Sequence, residues 1–264
     1  MNVGLGMNLT DRLTHVLRGI HSIEKESTPH SVKDIISLMD LTCLDTAATP
    51  TQINQLAMDA EKYQTATVCI FPEHLDFISS ENSIPRATVL NFPGGNEPIT
   101  TVLNSITLAT NHHLLKDIDY VFPYALYLSG YRSKALAHCQ QAYECSKQYG
   151  LTFKVILETG ALPSNEVIYD LSTSILNQGC DFLKTSTGKI AQGATIPAVF
   201  SILSAIVDTN SPCGIKVSGG VTTAEQACAY IQLAEYMLNK KVTRECFRLG
   251  ASSLLKILTD NLIV

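Results

Sequence analysis

The chain has 264 residues, 45% of them hydrophobic and 16% charged, with a formal net charge of −5. That is ample apolar material for one large core, and it excludes a disordered chain, which buries too little to offset the entropy of ordering. The acidic balance lacks the basic stripe of a nucleic-acid binder, no run approaches the roughly 18 apolar residues of a membrane span, and eight cysteines without a CxxC pair read as reduced thiols of a cytoplasmic protein.

Leu9, Leu13, Val16, Leu17 and Ile20 fall at helical spacing and predict a helix from Leu9 to Ile23, too often interrupted by polar residues to be a signal peptide. Residues 24–30 read as a loop. Eight strand candidates follow: Ile35–Asp40, Ala66–Phe71, Ala87–Phe92, Ile118–Phe122, Phe153–Glu158, Phe182–Ser186, Gly214–Ser218 and Phe247–Gly250. Helical patterns lie between most of them, at Thr51–Tyr63, Glu97–Asn111, Ser133–Tyr149, Ser164–Asn177, Ala194–Val207 and Ala224–Leu238. Such alternation calls for a parallel sheet with helices outside. The expected fold is α/β, a (β/α)8 TIM barrel in one domain, with residues 1–34 as N-terminal helix and loop and residues 35–264 as the barrel. About 250 residues is the usual size of that unit. An open doubly wound sheet would carry a GxGxxG fingerprint after its first strand, and none is present.

Parallel strands covered on both faces should be almost continuously apolar, so an ionisable residue inside one needs a reason. Strand residues alternate between faces. If Tyr120, Phe122, Val155, Leu157, Leu183, Thr185, Ile215 and Val217 pack outward on helices, then Asp119, Lys154, Glu158, Lys184 and Lys216 turn toward the barrel axis. Asp117 shares the face of Asp119. Crowding and desolvation disfavour an ammonium and lower a lysine pKa. A neutral amine can then attack a carbonyl to give a Schiff base, an electron sink for breaking or making a carbon–carbon bond, while a nearby carboxylate such as Asp119 moves protons.

Three loops could bind an anion. Gly188 and Lys189 follow the sixth strand, Gly219 and Gly220 the seventh, and Gly250, Ser252 and Ser253 end the eighth ahead of an apolar helix. TIM barrels commonly hold phosphate on these loops and a helix N-terminus. Ser252 or Ser253 could equally be only a helix cap. Cys69 shares a face with Thr67 and Phe71 and is either a small buried hydrophobe or a thiol reaching the pocket.

Taken in order, Leu38-Met39-Asp40-Leu41-Thr42, Asn91-Phe92-Pro93, Val121-Phe122-Pro123-Tyr124, Glu158-Thr159-Gly160, Leu183-Lys184-Thr185-Ser186-Thr187-Gly188, Lys216 through Gly220 and Gly250-Ala251-Ser252-Ser253 resemble the 2-deoxyribose-5-phosphate aldolase family. The resemblance implies a class I aldolase that cleaves 2-deoxy-D-ribose 5-phosphate to D-glyceraldehyde 3-phosphate and acetaldehyde, in deoxyribonucleoside catabolism, with no metal or organic cofactor. By the same resemblance, Lys184 forms the Schiff base, Lys216 perturbs its pKa, and Asp119 serves the proton relay. Asp40, Thr42 and Thr187 would line the substrate pocket, and Gly188, Lys189, Gly219, Gly220, Ser252 and Ser253 would surround the phosphate. The partners implied are a phosphosugar, small aldehydes and a second copy in a homodimer. Two departures stand out. Thr222 occupies the place of an arginine in the pattern Lys-Pro-Ala-Gly-Gly-Val-Arg-Thr, which implies weaker hold on phosphate. The sequence ends in Leu262-Ile263-Val264 without a tyrosine tail, which implies slower proton exchange at the enamine. A Schiff-base aldolase for another aldehyde and a non-catalytic phosphosugar-binding barrel are the alternative readings.

Overall fold

A computed structural model of the chain describes residues 8–23 and 30–260. In it eight parallel strands pair in chain order and close on themselves, β8 returning to β1. The strands are β1 (Met39–Cys43), β2 (Thr67–Ile70), β3 (Arg86–Leu90), β4 (Leu115–Val121), β5 (Thr152–Ile156), β6 (Phe182–Lys184), β7 (Gly214–Ser218) and β8 (Phe247–Ala251). The helices are α1 (Leu9–Ile23), α2 (Val32–Ser37), α3 (Pro50–Tyr63), α4 (Ile99–Ala109), α5 (Tyr124–Leu128), α6 (Arg132–Gln148), α7 (Asn165–Gln178), α8 (Ile196–Asp208), α9 (Ala224–Leu238) and α10 (Leu254–Asp260). The crossover from β2 to β3 carries only the 3-10 helix Pro72–Phe77. The expected (β/α)8 barrel with an extra N-terminal helix is therefore what the chain forms. Of the expected loop at residues 24–30, all but His30 lies outside the described residues, as does the C-terminal Leu262-Ile263-Val264.

The first strand starts later than the apolar run suggests. Ile35 and Ile36 are buried in α2, not in β1. Ser31 and Asp34 form a reciprocal capping box, with the Asp34 N–H donating to Ser31 Oγ at 3.2 Å and the Ser31 N–H to Asp34 Oδ2 at 3.1 Å. A capping box nucleates a helix whatever the β propensity of the isoleucines that follow. A short apolar run alone cannot distinguish a buried helix from a strand.

Helix α8 is buried on every side from Ala198 to Ile206, because α1 lies across α8 and α9 and covers what would be its outer face. An all-round apolar helix needs such a cover. Arg12 of α1 grips Asp208 at the end of α8 with two bonds of 2.8 and 2.9 Å. All eight cysteines are free thiols, with the sulfurs of Cys180 and Cys213 3.3 Å apart at the starts of β6 and β7. Among the described residues no helix is long and apolar enough to cross a membrane.

The register brings the charges together. Asp119 is level with Lys154 on β5, and Lys184 is level with Lys216, which is level with Arg248 on β8. Side chains level on adjacent parallel strands share a face. One row inside the barrel thus carries three cations, and carboxylates from β1 and β4 reach across to it.

Candidate active site

The barrel interior holds a buried ionic cluster. Asp119 accepts from Lys184 at 2.7 Å and from Lys216 at 2.6 Å on the same oxygen, Oδ2, while its Oδ1 lies 3.2 Å from Lys154. Lys216 pairs also with Asp40 Oδ2 at 2.6 Å. Lys154 pairs with Asp117 at 2.5 Å and lies 3.6 Å from Asp40. Arg248 Nη1 reaches Asp40 Oδ1 at 2.6 Å and Asp117 Oδ2 at 3.4 Å, and its Nε donates to the Arg244 carbonyl. Below them the Phe182 ring faces both the Arg248 guanidinium, 5.7 Å from the ring centre, and the Lys154 ammonium at 6.0 Å. Gly214 leaves room for that ring, since a Cβ there would stand 2.5 Å from Phe182.

The lysines are unequal because their carboxylates are. Burial pulls Lys154 and Lys216 toward the neutral form, but several carboxylates around each more than offset it, and both end above the ordinary lysine value. Burial also pulls Lys184 down, and the ammonium of Lys216 adds to that; Asp119 alone does not restore it, so Lys184 ends below. Asp119 and Asp40 are disfavoured as anions by burial, yet the surrounding cations hold both well below the usual carboxylate range. Lys184 is accordingly the ammonium in the cluster that loses its proton most easily.

Lys184 also faces the mouth. It lines a cavity of about 380 Å³ with Thr42, Thr187, Gly188, Lys189, Gly219, Gly220, Gly250, Ser252 and Ser253, so the loops singled out from sequence converge on one pocket. Asp40, Asp119 and Lys216 lie fully buried beneath it. Asp40, which the sequence reading assigns to the pocket lining, is instead an ion-pair partner of Lys216 and Arg248. Gly188, Gly219 and Gly220 have φ of 76°, 91° and 85°, the left-handed region where glycine is favoured. Gly219 has a second constraint: its Cβ would stand 2.9 Å from Gly193 Cα. Such turns can point successive N–H groups at an anion.

Glu158 departs from the expected axial ion cluster. It follows β5 with φ of 55°, so the chain leaves strand geometry there, and its carboxylate accepts from the Thr187 N–H at 3.2 Å and from the Thr187 hydroxyl. Thr187 Oγ1 in turn accepts from the Lys189 N–H at 3.0 Å. Glu158 thus braces the loop after β6 and makes no ion pair with the cluster lysines. Ser218 ties the same loop to β7 by donating to the Ser186 carbonyl at 2.6 Å. Lys189 extends its ammonium to the Leu44 carbonyl at 2.6 Å. Thr222 lines the pocket and is exposed; its N–H donates to Gln226 Oε1 at 2.8 Å. Cys69 does reach the cluster: its fully buried sulfur lies 3.9 Å from Asp119 Oδ2, and burial raises the thiol pKa.

Arg248 and Asp117 join the cluster in addition to the residues that strand alternation predicts there. Both were detectable by the argument that found the lysines: Arg248 stands between Phe247 and Leu249, which are buried in the main core.

The profile of the DeoC/LacD family of aldolases matches residues 35–259. Deoxyribose-phosphate aldolase of Agrobacterium fabrum is 37% identical over 227 residues, covering 83% of this chain and 87% of that protein. Among solved structures, deoxyribose phosphate aldolase from Aeropyrum pernix, a tetramer, superposes with a TM-score of 0.74 at 22% identity over 94% of this chain and 97% of its own. A candidate deoxyribose-phosphate aldolase from Toxoplasma gondii gives 0.79 at 20% identity over 93% and 95%. The structural likenesses concern the fold; the sequence matches extend over most of the chain.

Proposed function

This chain belongs to the DeoC/LacD family of aldolases, and from that premise we propose that it reversibly cleaves 2-deoxy-D-ribose 5-phosphate to D-glyceraldehyde 3-phosphate and acetaldehyde through a Schiff base on Lys184. The observation carrying this reading is that Lys184, at the pocket floor, is the one cluster lysine whose pKa falls below the ordinary value. The amine attacks C1 of the open-chain sugar and water leaves, giving an iminium. The C3 hydroxyl then loses its proton, the C2–C3 bond breaks, and its electron pair passes into an enamine. Protonation at C2 and hydrolysis release acetaldehyde and restore the amine. The iminium is the electron sink, so the reaction calls for no metal or organic cofactor.

Asp119 Oδ2, 2.7 Å from Lys184 and 2.6 Å from Lys216, offers a short path for the proton that Lys184 must shed. Lys216 keeps its ammonium and disfavours a second charge on Lys184. Asp40 holds Lys216 in place. Thr42 and Thr187 face the sugar hydroxyls, and Gly188, Lys189, Gly219, Gly220, Gly250, Ser252 and Ser253 surround the phosphate. The role assigned is deoxyribonucleoside breakdown in the cytoplasm, by a homodimer.

Thr222 favours a second reading, in which the same Schiff-base chemistry acts on an unphosphorylated aldehyde. The pocket has no arginine at that position, and the Lys189 ammonium is engaged with Leu44. Comparing kcat/KM for 2-deoxyribose 5-phosphate and 2-deoxyribose separates the two. The first reading expects a preference on the order of 10²-fold or more for the phosphorylated sugar. A ratio near one transfers the assignment to the second.

A further inference from the structure

We propose that Arg248, a residue outside the pocket, sets the protonation state of Lys184 by making the buried cluster one cation richer than its carboxylates can balance. The inference deepens the Schiff-base reading, since it names what keeps the proposed nucleophile poised.

The argument is one of counting and contact. The directly paired cluster contains four cations, Lys154, Lys184, Lys216 and Arg248, and three carboxylates, Asp40, Asp117 and Asp119. All lie in the barrel interior, where an uncompensated charge is costly. One cation is in excess, and the least costly remedy is for a lysine to release its proton. A guanidinium cannot do so. Arg248 holds a bond to Asp40 and a longer contact to Asp117, which leaves the carboxylates short of compensating three lysines. Lys154 contacts three carboxylates and Lys216 two; Lys184 contacts only Asp119, on an oxygen it shares with Lys216. The deficit therefore falls on Lys184.

The groups facing Lys184 are Asp119 from β4, Lys216 from β7, the Cys69 thiol from β2 and Glu158 beyond β5. Glu158 is bonded to Thr187 and not to a cluster lysine, and burial pushes both its carboxyl and the Cys69 thiol up, so neither is counted among the compensating anions. Level placement of Arg248, Lys216 and Lys184 on β8, β7 and β6 gives the excess charge a direct line to the nucleophile. Arg248 acts through that charge balance and touches no substrate position, so it is a positioning residue.

The test is titration of the Lys184 side chain by NMR of isotopically labelled lysine, assigned with Lys184→Met, in four proteins. In the unsubstituted protein Lys184 titrates below the ordinary value of about 10.4. Arg248→Met equalises cations and carboxylates and raises the Lys184 pKa by about one unit. Asp117→Asn increases the excess and lowers it by a similar amount, roughly one unit. Arg248→Lys, which retains a cation at the position, stays closer to the unsubstituted protein than Arg248→Met does. Structural damage alone does not predict opposite signs. If Arg248→Met fails to fold, the downward shift in Asp117→Asn still decides. Shifts in the same direction, or no shift in Asp117→Asn, overturn the inference. The titration needs no turnover, so its failure is separable from that of the aldolase reading, which trapping of a covalent adduct tests.

Discussion

Lys184 and Lys216 are the same side chain, level on neighbouring strands and both buried, Lys184 at the pocket floor and Lys216 beneath it, and they differ in the carboxylates around them. That difference divides the labour, one remaining an ammonium and the other able to become an amine. Lys184→Ala should lower kcat by on the order of 10³-fold or more while leaving the fold intact. Because the Lys184 pKa is depressed, the active amine increases as pH rises through it, so kcat/KM should climb with pH on its acid limb, at a position below the ordinary lysine range. A pH profile checks this. Gly250 offers a subtler test. A Cβ there would stand 2.8 Å from Ser218 Cβ and 3.1 Å from Lys216 Cε. Gly250→Ala should therefore disturb Lys216 and reduce kcat by about tenfold, a change worth about 1.4 kcal/mol of barrier, and a crystal structure of the variant would show the Lys216 side chain displaced.

Much of this cluster was legible because a charge in a buried strand contradicts the local pattern, and Asp119, Lys154, Lys184 and Lys216 all do so. Glu158 lies two residues beyond β5 and its own φ is positive, so strand alternation does not govern it, and its carboxylate bonds Thr187 in place of an ion pair with the cluster. Nothing in the residue types announces that turn. The inequality of the lysines was legible only through the family resemblance and not from strand alternation, since it depends on which carboxylates reach across the barrel.

At the scale of elements, the strand–helix alternation was readable wherever a helix pattern separated two strands, and it failed where helix and strand join without a break. Residues 32–43 run from α2 straight into β1, and only the Ser31 and Asp34 capping box marks the helix. The burial of α8 on every side was likewise hidden, because its cover comes from α1, far away in sequence. Caps of this kind have measurable value. Thr223 accepts from the Gln226 N–H at 3.2 Å at the start of α9, just beyond the proposed phosphate loop. Thr223→Ala should cost about 1 kcal/mol, lowering the Tm by roughly 2–4 °C for a domain of this size. The glycine loops before α9 should then lose some order, seen as an increased KM for the phosphorylated sugar with kcat little changed.

The loop after β6 shows how elements position a site without joining it. Glu158 fixes Thr187, Thr187 fixes the Lys189 N–H, and Ser218 ties the loop to the neighbouring strand. Thr222→Arg, on the adjacent loop, would supply a further cation to the same pocket, beside Lys189 and Lys184. It should raise kcat/KM for the phosphorylated sugar by roughly tenfold and leave the unphosphorylated sugar unaffected, the sense expected for a charge-assisted bond to phosphate.

Over the whole molecule, the cluster couples stability to pH. Asp40 and Asp119 have folded-state pKa values depressed below the unfolded value of about 3.9. Their contribution is thus fully present above that value and is lost as pH falls through the folded pKa. Urea unfolding should show a steep loss of stability below about pH 4. At neutral pH, Lys154→Met takes away the ammonium bonded to Asp117 at 2.5 Å and to Asp119 at 3.2 Å and leaves those buried carboxylate oxygens short of a donor, which is expected to cost about 3–5 kcal/mol.

The account stands or falls on Lys184 as a covalent nucleophile. The most direct measurement is borohydride reduction of the protein in the presence of acetaldehyde, followed by intact-mass and peptide analysis. The account predicts a single ethyl group on Lys184, absent from Lys184→Ala. A folded protein that takes up no ethyl group, or takes it up on Lys216 or on surface lysines with Lys184 unmodified, would contradict it.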